Sequence, residues 1–145
     1  MTAGMKAGKI EIGLFVLRLG LGSFLLLWSV DKLVEPETTT KIFGHFYHLT
    51  IPANAAVVVG VLECLLSLAI MAGLWKTWTY GLGLALHAVS TLSTYEQLMS
   101  PFGKNHLFIA ALPVLAAFVT LFILRESDTF CVIGRRPVNP SGSAM

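Results

Sequence analysis

Charged side chains are scarce in this sequence. They make up 12% of the 145 residues, whereas hydrophobic residues make up 55%. Soluble domains carry about 25% charged residues, so the deficit and the mean hydropathy of +0.76 argue against a water-exposed surface of the usual kind. The formal net charge of +2 is too small to indicate nucleic-acid binding. The composition indicates a chain whose main solvent is lipid.

Cysteine is also scarce. Cys64 falls inside an apolar run and Cys131 in a polar tail, so we predict no disulfide. The sequence has no CxxC pair, and thiol exchange requires a paired, accessible dithiol. This argues against a quinone-linked enzyme that generates disulfides.

Long apolar runs are abundant, and four of them reach the ~20 residues that a spanning helix needs. They cover residues 10–33, 52–74, 75–99 and 105–124. The runs are continuous rather than alternating, and open sheet edges are not satisfied in lipid. The sequence therefore predicts an all-α integral membrane four-helix bundle. The first run is too long for a typical signal peptide and no cleavage site follows it, so we expect it to be retained.

The first connection, residues 35–51, is the only long one. Thr38, Thr39 and Thr40 are suitable caps for a short helix there. Four apolar or aromatic residues then share one face at helical spacing: Ile42, Phe43, Phe46 and Tyr47. This pattern predicts either a helix lying in the membrane interface or a hydrophobic plug packed on the bundle.

The distribution of basic residues predicts the orientation. Six fall on one side of the predicted helices, namely Lys6, Lys9, Lys76, Arg125, Arg135 and Arg136, and three on the other, namely Lys32, Lys41 and Lys104. We therefore expect an inner (plasma) membrane protein with residues 1–9 and the tail 126–145 in the cytoplasm. The transmembrane domain is residues 10–125.

Three ionisable residues lie inside predicted spans, where each costs at least ~2.5–3.5 kcal/mol without a partner. They are Arg18, Glu63 and His87. A rise of ~1.5 Å per residue places them at similar depths in adjacent helices. We predict an Arg18–Glu63 ion pair with His87 nearby. The cluster either fixes the helix register or forms a site for a polar head group, a quinone or a proton.

A second polar cluster is predicted at the outer edge, from Lys32, Tyr95, Glu96 and His106. The alternative is ordinary snorkelling of interfacial side chains, which we favour for Asp31, Glu35 and Lys104. His45 and His48 are three residues apart, a weak metal-binding signal, and we predict no metal site. Pro113 is expected to bend the fourth helix.

Two segments resemble the DoxX-like family of small four-helix membrane proteins. Residues 17–33 read LRLGLGSFLLLWSVDKL, with an Arg-Leu-x-Leu-Gly opening and a Lys-Leu end. Residues 57–75 read VVVGVLECLLSLAIMAGLW, with a Glu in the middle and a Gly-Leu exit. The likeness spans roughly residues 17–125. The Ser-Val-Asp-Lys sequence departs from the pattern, and neither His87 nor residues 104–106 map onto it.

The resemblance implies a membrane subunit of the kind found in thiosulfate:quinone oxidoreductases, or a partner of redox or detoxification proteins. The family motifs match Arg18, Lys32 and Glu63, and the resemblance implies that these residues lie near a quinone or bind a partner. Quinone is the cofactor it makes possible, and the expected partners are the lipid bilayer and other membrane subunits or a second copy of the chain.

Three functions stay open from the sequence. The first is an accessory or anchor subunit of a quinone-linked redox complex, because short loops leave no room for a soluble catalytic domain. The second is a catalytic quinone-linked oxidoreductase, such as the thiosulfate:quinone type. The third is a small proton-coupled transporter, which we rank last because the first helix carries Arg18 rather than a carboxylate.

Overall fold

A computed structural model describes residues 2–133 of the chain, with side chains from residue 8 onward. In that range the chain consists of helices and turns, which confirms the predicted all-helical class. The α-helices are α1 Thr2–Val34, α2 Pro36–Tyr47, α3 Ala53–Ala72, α4 Lys76–Ser93, α5 Tyr95–Met99 and α6 Ala111–Ile123, and a 3₁₀ helix, Gly103–Ala110, precedes α6.

Three helical stretches are long and apolar enough to cross a membrane, by length and composition. They are Gly8–Val34, Ala53–Ala72 and Gly103–Ile123. Many of their large apolar side chains point outward, as lipid-facing residues do: Leu65 is 60% exposed and Leu62 is also 60% exposed. These features make the chain a membrane protein.

The predicted third span, residues 75–99, is shorter in the structure. Helix α4 ends at Ser93, and Thr94 separates it from α5. Side-chain hydroxyls compete here with backbone N–H groups for the carbonyls of the last turn. Ser93 donates to the carbonyl of Ser90, and Thr94 donates to that of Thr91. The helix therefore stops six residues before the predicted end.

One prediction about local helix geometry was wrong. The threonines of the first connection do not cap α2, which begins at Pro36 without a side-chain cap, because proline at the first position has no N–H to satisfy. Pro113 lies in the first turn of α6, which is also the middle of the apolar stretch Gly103–Ile123, and the bend expected there stays a prediction. The apolar face predicted for α2 does pack toward the bundle.

The bundle is held together by antiparallel packing of α1 on α3 and by packing of α4 on α6. Gly60 in α3 lies against the carboxyl end of α1, and a Cβ atom there would lie 3.0 Å from both the Ser29 carbonyl and Lys32 Cβ. The closed core is small: Leu14, Leu21, Ile70, Tyr80, Phe118 and Leu121 are buried. Close backbone approach through small residues is the usual way in which helices associate in lipid.

Replacing Gly60 with Val is expected to lower the melting temperature in detergent, because the larger side chain forces α1 and α3 apart at a cost of about 1–3 kcal/mol. Gly20→Val is the matched control, since a Cβ atom at Gly20 meets nothing within 4 Å. Equal melting of the two variants would contradict the tight α1–α3 contact.

Candidate functional site

Arg18 is completely buried and forms an ion pair with Asp128. Its Nη1 donates to both carboxylate oxygens, at 3.1 and 3.0 Å, and its Nη2 donates to the carbonyls of Phe130 and Cys131, at 3.2 and 2.9 Å. The hydroxyl of Tyr80 also donates to Asp128. The predicted Arg18–Glu63 ion pair is therefore not formed.

The depth estimate explains this error. We counted from residue 10, but α1 begins at Thr2 and its 33 residues extend about 50 Å. Helix α1 extends past the turn between α3 and α4, and the Arg18 guanidinium lies beside Gly73 in that turn. We call this the turn end of the bundle. Glu63 lies nine residues from the end of α3, about 14 Å away along that helix.

Asp128 belongs to a segment, residues 125–133, that folds back against the turn end. We call it the return segment. Lys76 Nζ donates to the carbonyls of Arg125 and Asp128, at 2.8 and 2.9 Å, and the amide of Ile133 donates to the carbonyl of Ala72. The sequence predicts a cytoplasmic tail over residues 126–145. The part up to 133 packs on the helices, and residues 134–145 lie outside the described range.

Gly73 makes room for this arrangement. Its φ of +68° lies in the left-handed region that glycine adopts without strain. A Cβ atom there would come within 2.7 Å of both Arg18 Nη1 and Val132 Cγ1. The turn end therefore requires glycine for backbone conformation and for space.

A second ion pair occupies the opposite end of the bundle. Lys32 Nζ lies 2.8 Å from Glu63 Oε2, with side chains that are 16% and 21% exposed. Lys32 follows Arg18 by fourteen residues, about 21 Å along α1. Glu63, expected to pair with Arg18, instead pairs with a residue that we had assigned to the outer cluster.

The Lys32–Glu63 pair lines a cavity of about 400 Å³ beneath α2. Helices α1, α2, α3 and α4 all contribute to its walls, and the polar members are Asp31, Lys32, Thr39, Tyr47, Glu63, His87 and Ser90. The remaining walls are apolar, from residues such as Leu25, Val59 and Leu86. The structure thus brings Glu63 and His87 to one cavity and leaves Arg18 out of it.

His87 is held in a defined orientation. Its Nε2 lies 3.0 Å from the carbonyl oxygen of Ala111. A carbonyl only accepts, so Nε2 carries the proton and Nδ1 of the neutral ring is an acceptor. The ring also packs on Phe24 and Phe118, with centroids 5.6 Å apart in each case.

The other members of the predicted outer cluster form separate contacts. The Tyr95 hydroxyl lies 3.4 Å from Glu96 Oε1, and both residues are exposed. His106 Nδ1 forms a hydrogen bond with the carbonyl of Gly103, within the same 3₁₀ helix. Lys32 therefore belongs to the cavity, and the four residues are not one cluster.

The neighbouring histidines of the first connection also have local roles. His45 packs edge-on against Phe46, and His48 ends α2 in the left-handed conformation. Within the described part of the chain, no three residues of the metal-binding types (His, Cys, Asp or Glu) come together.

Sequence reasoning missed Asp128. The available signal was that a buried guanidinium needs a carboxylate, and Asp128 follows the last apolar run with Phe130 and Cys131 close behind. The prediction used only carboxylates inside the spans, whereas Asp128 lies outside them, in the return segment.

Apolar spans with outward-facing apolar side chains, a buried ion pair and a cavity between helices define a helical membrane protein. The chain belongs to the DoxX family, whose model matches residues 13–96. This confirms the family resemblance, and the matched region contains Arg18, Lys32, Glu63 and His87. Comparisons with curated proteins and with solved structures found no match.

Replacing Asp128 with Asn is expected to destabilise the protein strongly, by about 3–5 kcal/mol, because it leaves the Arg18 guanidinium buried without a counter-charge. The melting temperature in detergent measures the loss. Glu126→Gln is the control, since the Glu126 side chain is 81% exposed and should change little.

A double variant tests whether the loss of stability comes from the unpaired charge or from altered packing. Arg18→Met combined with Asp128→Asn removes the uncompensated charge and should recover part of the lost stability. A double variant that is less stable than Asp128→Asn alone would contradict the assignment of the loss to the unpaired guanidinium.

Proposed function

We propose that α4 also crosses the membrane, which makes the chain a four-helix transmembrane bundle. Only three residues separate α3 from α4, so both helices meet at the turn end. Lys76 at the start of α4 contacts the segment after α6, and His87 near the other end of α4 contacts the start of α6. Because α3 and α6 are spans, α4 carries the chain between their opposite ends. Its 18 residues reach about 27 Å, close to the ~30 Å hydrocarbon core.

In this proposal the turn end faces the cytoplasm of a plasma (inner) membrane, as the basic residues favour. Helix α2 then lies at the outer interface as a roof over the cavity. Its half-buried aromatic face and exposed Lys41 and Glu37 suit a helix with one side on the bundle and the other toward head groups.

Cysteine labelling tests this topology. In a Cys64→Ala/Cys131→Ser background, Thr77→Cys and Lys104→Cys should react with a membrane-impermeant maleimide from opposite faces, Thr77→Cys from the cytoplasmic one. Both sites are exposed. Labelling of both from the same face would contradict a crossing by α4, and the reverse sidedness would contradict the orientation alone.

We infer further that the chain is an accessory or anchor subunit of a quinone-linked redox complex, and that the cavity beneath α2 holds the quinone. The observation that carries this is the amphiphilic lining, in which a Lys32–Glu63 ion pair and His87 lie among apolar walls. Ligand cavities typically have about 300–1,000 Å³ and a few placed polar groups in an apolar wall.

The residues present suit a quinone head group. Its two carbonyl oxygens need donors, which Lys32 Nζ and the hydroxyls of Tyr47 and Ser90 supply. In the ring of His87, which is oriented by its hydrogen bond to Ala111, Nδ1 is an acceptor. The bound quinone would supply electron acceptance, and these side chains would bind and orient it.

An accessory role is favoured over independent catalysis. The cysteines of the described range, Cys64 and Cys131, are free and lie in different parts of the fold, so a sulfur donor would have to be handled by a partner. The catalytic thiosulfate:quinone type is the alternative. The transporter hypothesis receives no added support, because the Glu63 carboxylate forms an ion pair with Lys32.

Quinone binding to the purified full chain tests the proposal. Lys32→Met should weaken binding of a short-chain ubiquinone or menaquinone analogue about tenfold or more, because it removes a charged donor worth about 1.5–3 kcal/mol. Lys104→Met is the matched control, since Lys104 is exposed and outside the cavity. Binding that is equally strong in both variants would overturn the cavity assignment.

Co-purification distinguishes the accessory role from independent catalysis. The native protein extracted in mild detergent should bring a redox partner with it. Quinone reduction by the isolated chain with a sulfur donor would instead support the catalytic alternative.

A further inference from the structure

A second cavity, of about 300 Å³, adjoins the first. It lies between α2, the ends of α1 and α4, and the 3₁₀ helix before α6. The residues that belong to it alone include Phe24, Phe46, Ser93, Thr94, Leu107 and Phe108. The rings of Phe46 and Phe108 are 6.1 Å apart.

The two cavities adjoin along a shared stretch of wall, which we call the neck. Four residues line both of them: Trp28, Ile42, Tyr47 and Ser90. The neck lies under the apolar face of α2, so one helix roofs both spaces. We call the two neighbouring cavities the first and second compartments of the groove beneath α2.

Their chemistry differs along the groove. The first compartment contains the Lys32–Glu63 pair, Asp31 and His87. The second has no charged lining residue within the described chain. Two of its hydroxyls are already engaged, since Ser93 donates to the carbonyl of Ser90 at 2.8 Å and Thr94 to that of Thr91 at 3.0 Å. The second compartment thus offers shape and apolar contact.

We propose that the groove holds one amphiphilic molecule, with its polar head in the first compartment and an apolar chain in the second. The inference rests on the proposed quinone site and defines the substrate class as a quinone with a flexible hydrocarbon chain. The neck residues Trp28 and Tyr47 flank the junction of head and chain.

The hydrocarbon chain of the ligand gains little binding free energy from the hydrophobic effect, because the lipid that it leaves is as apolar as the compartment. Its contribution comes from contacts with the aromatic walls, each worth about 0.1–0.2 kcal/mol per atom pair. A comparison of ligands alone would mix this effect with partitioning into the detergent or lipid. A comparison of variants with the same ligand cancels the partitioning.

The test uses Ser93→Phe, which fills the second compartment, and Leu92→Phe as its control. Leu92 is the adjacent residue, is 71% exposed and lines neither cavity. The full chain in nanodiscs is titrated with a benzoquinone head group that carries either no chain or two prenyl units. Ser93→Phe should weaken the prenylated ligand about tenfold and leave the chainless one unchanged, whereas Leu92→Phe should change neither.

The outcomes separate the two proposals. If Ser93→Phe weakens the binding of both ligands equally, or of neither, the assignment of the hydrocarbon chain to the second compartment is overturned, and the quinone site itself is not. Failure of the wild-type protein to bind either ligand overturns the quinone site together with it.

Photolabelling gives an independent readout that needs no variant. A quinone with a diazirine at the end of its chain should label the peptides that contain Phe46 and Leu107. Labelling restricted to the lipid-facing side of α3, at residues such as Leu62 and Leu65, overturns the inference.

Discussion

The ion pair between Arg18 and Asp128 is the constraint on which the rest of the structure depends. A guanidinium in a low-dielectric interior needs a counter-charge and hydrogen-bond acceptors. The carboxylate and two carbonyls come from the return segment, which therefore has to fold back after α6. Lys76 and Tyr80 bind the same segment. One buried cation thus fixes the relative positions of α1, α4 and the chain after α6.

The two ends of the bundle use charge differently. At the turn end the side chains of Arg18 and Asp128 are both fully buried, and their hydrogen bonds run to protein atoms. At the other end the Lys32 and Glu63 side chains keep 16% and 21% of their surface and border a cavity. The two pairs therefore differ in exposure rather than in charge type. The sealed Arg18–Asp128 pair fits the structural interpretation of a buried ion pair, and a ligand-binding role for the Lys32–Glu63 pair is part of the proposed function.

Apolar runs and short motifs were sufficient to predict the helical class, the helix in the first connection, its apolar face and the family. They were not sufficient to pair the charges. Depth was counted from the first apolar residue, but a helix continues into the polar flank, as α1 does from Thr2. The hydroxyls that end α4 at Ser93 do so by hydrogen bonding to backbone carbonyls. Because they hardly change the hydropathy of the segment, the hydropathy pattern does not show where the helix ends. Asp128 was outside every span, and its burial depends on a chain reversal that no periodicity encodes.

The return segment has a consequence for the direction in which the protein exchanges with its surroundings. It covers the turn end with the buried Arg18–Asp128 pair, whereas the two cavities lie at the opposite end, beneath α2. The two ends of the bundle therefore present different surfaces: one is covered by the chain itself, and the other contains the spaces that a ligand would occupy. Under the proposed quinone function, a redox partner is expected to dock on the α2 face, away from the return segment.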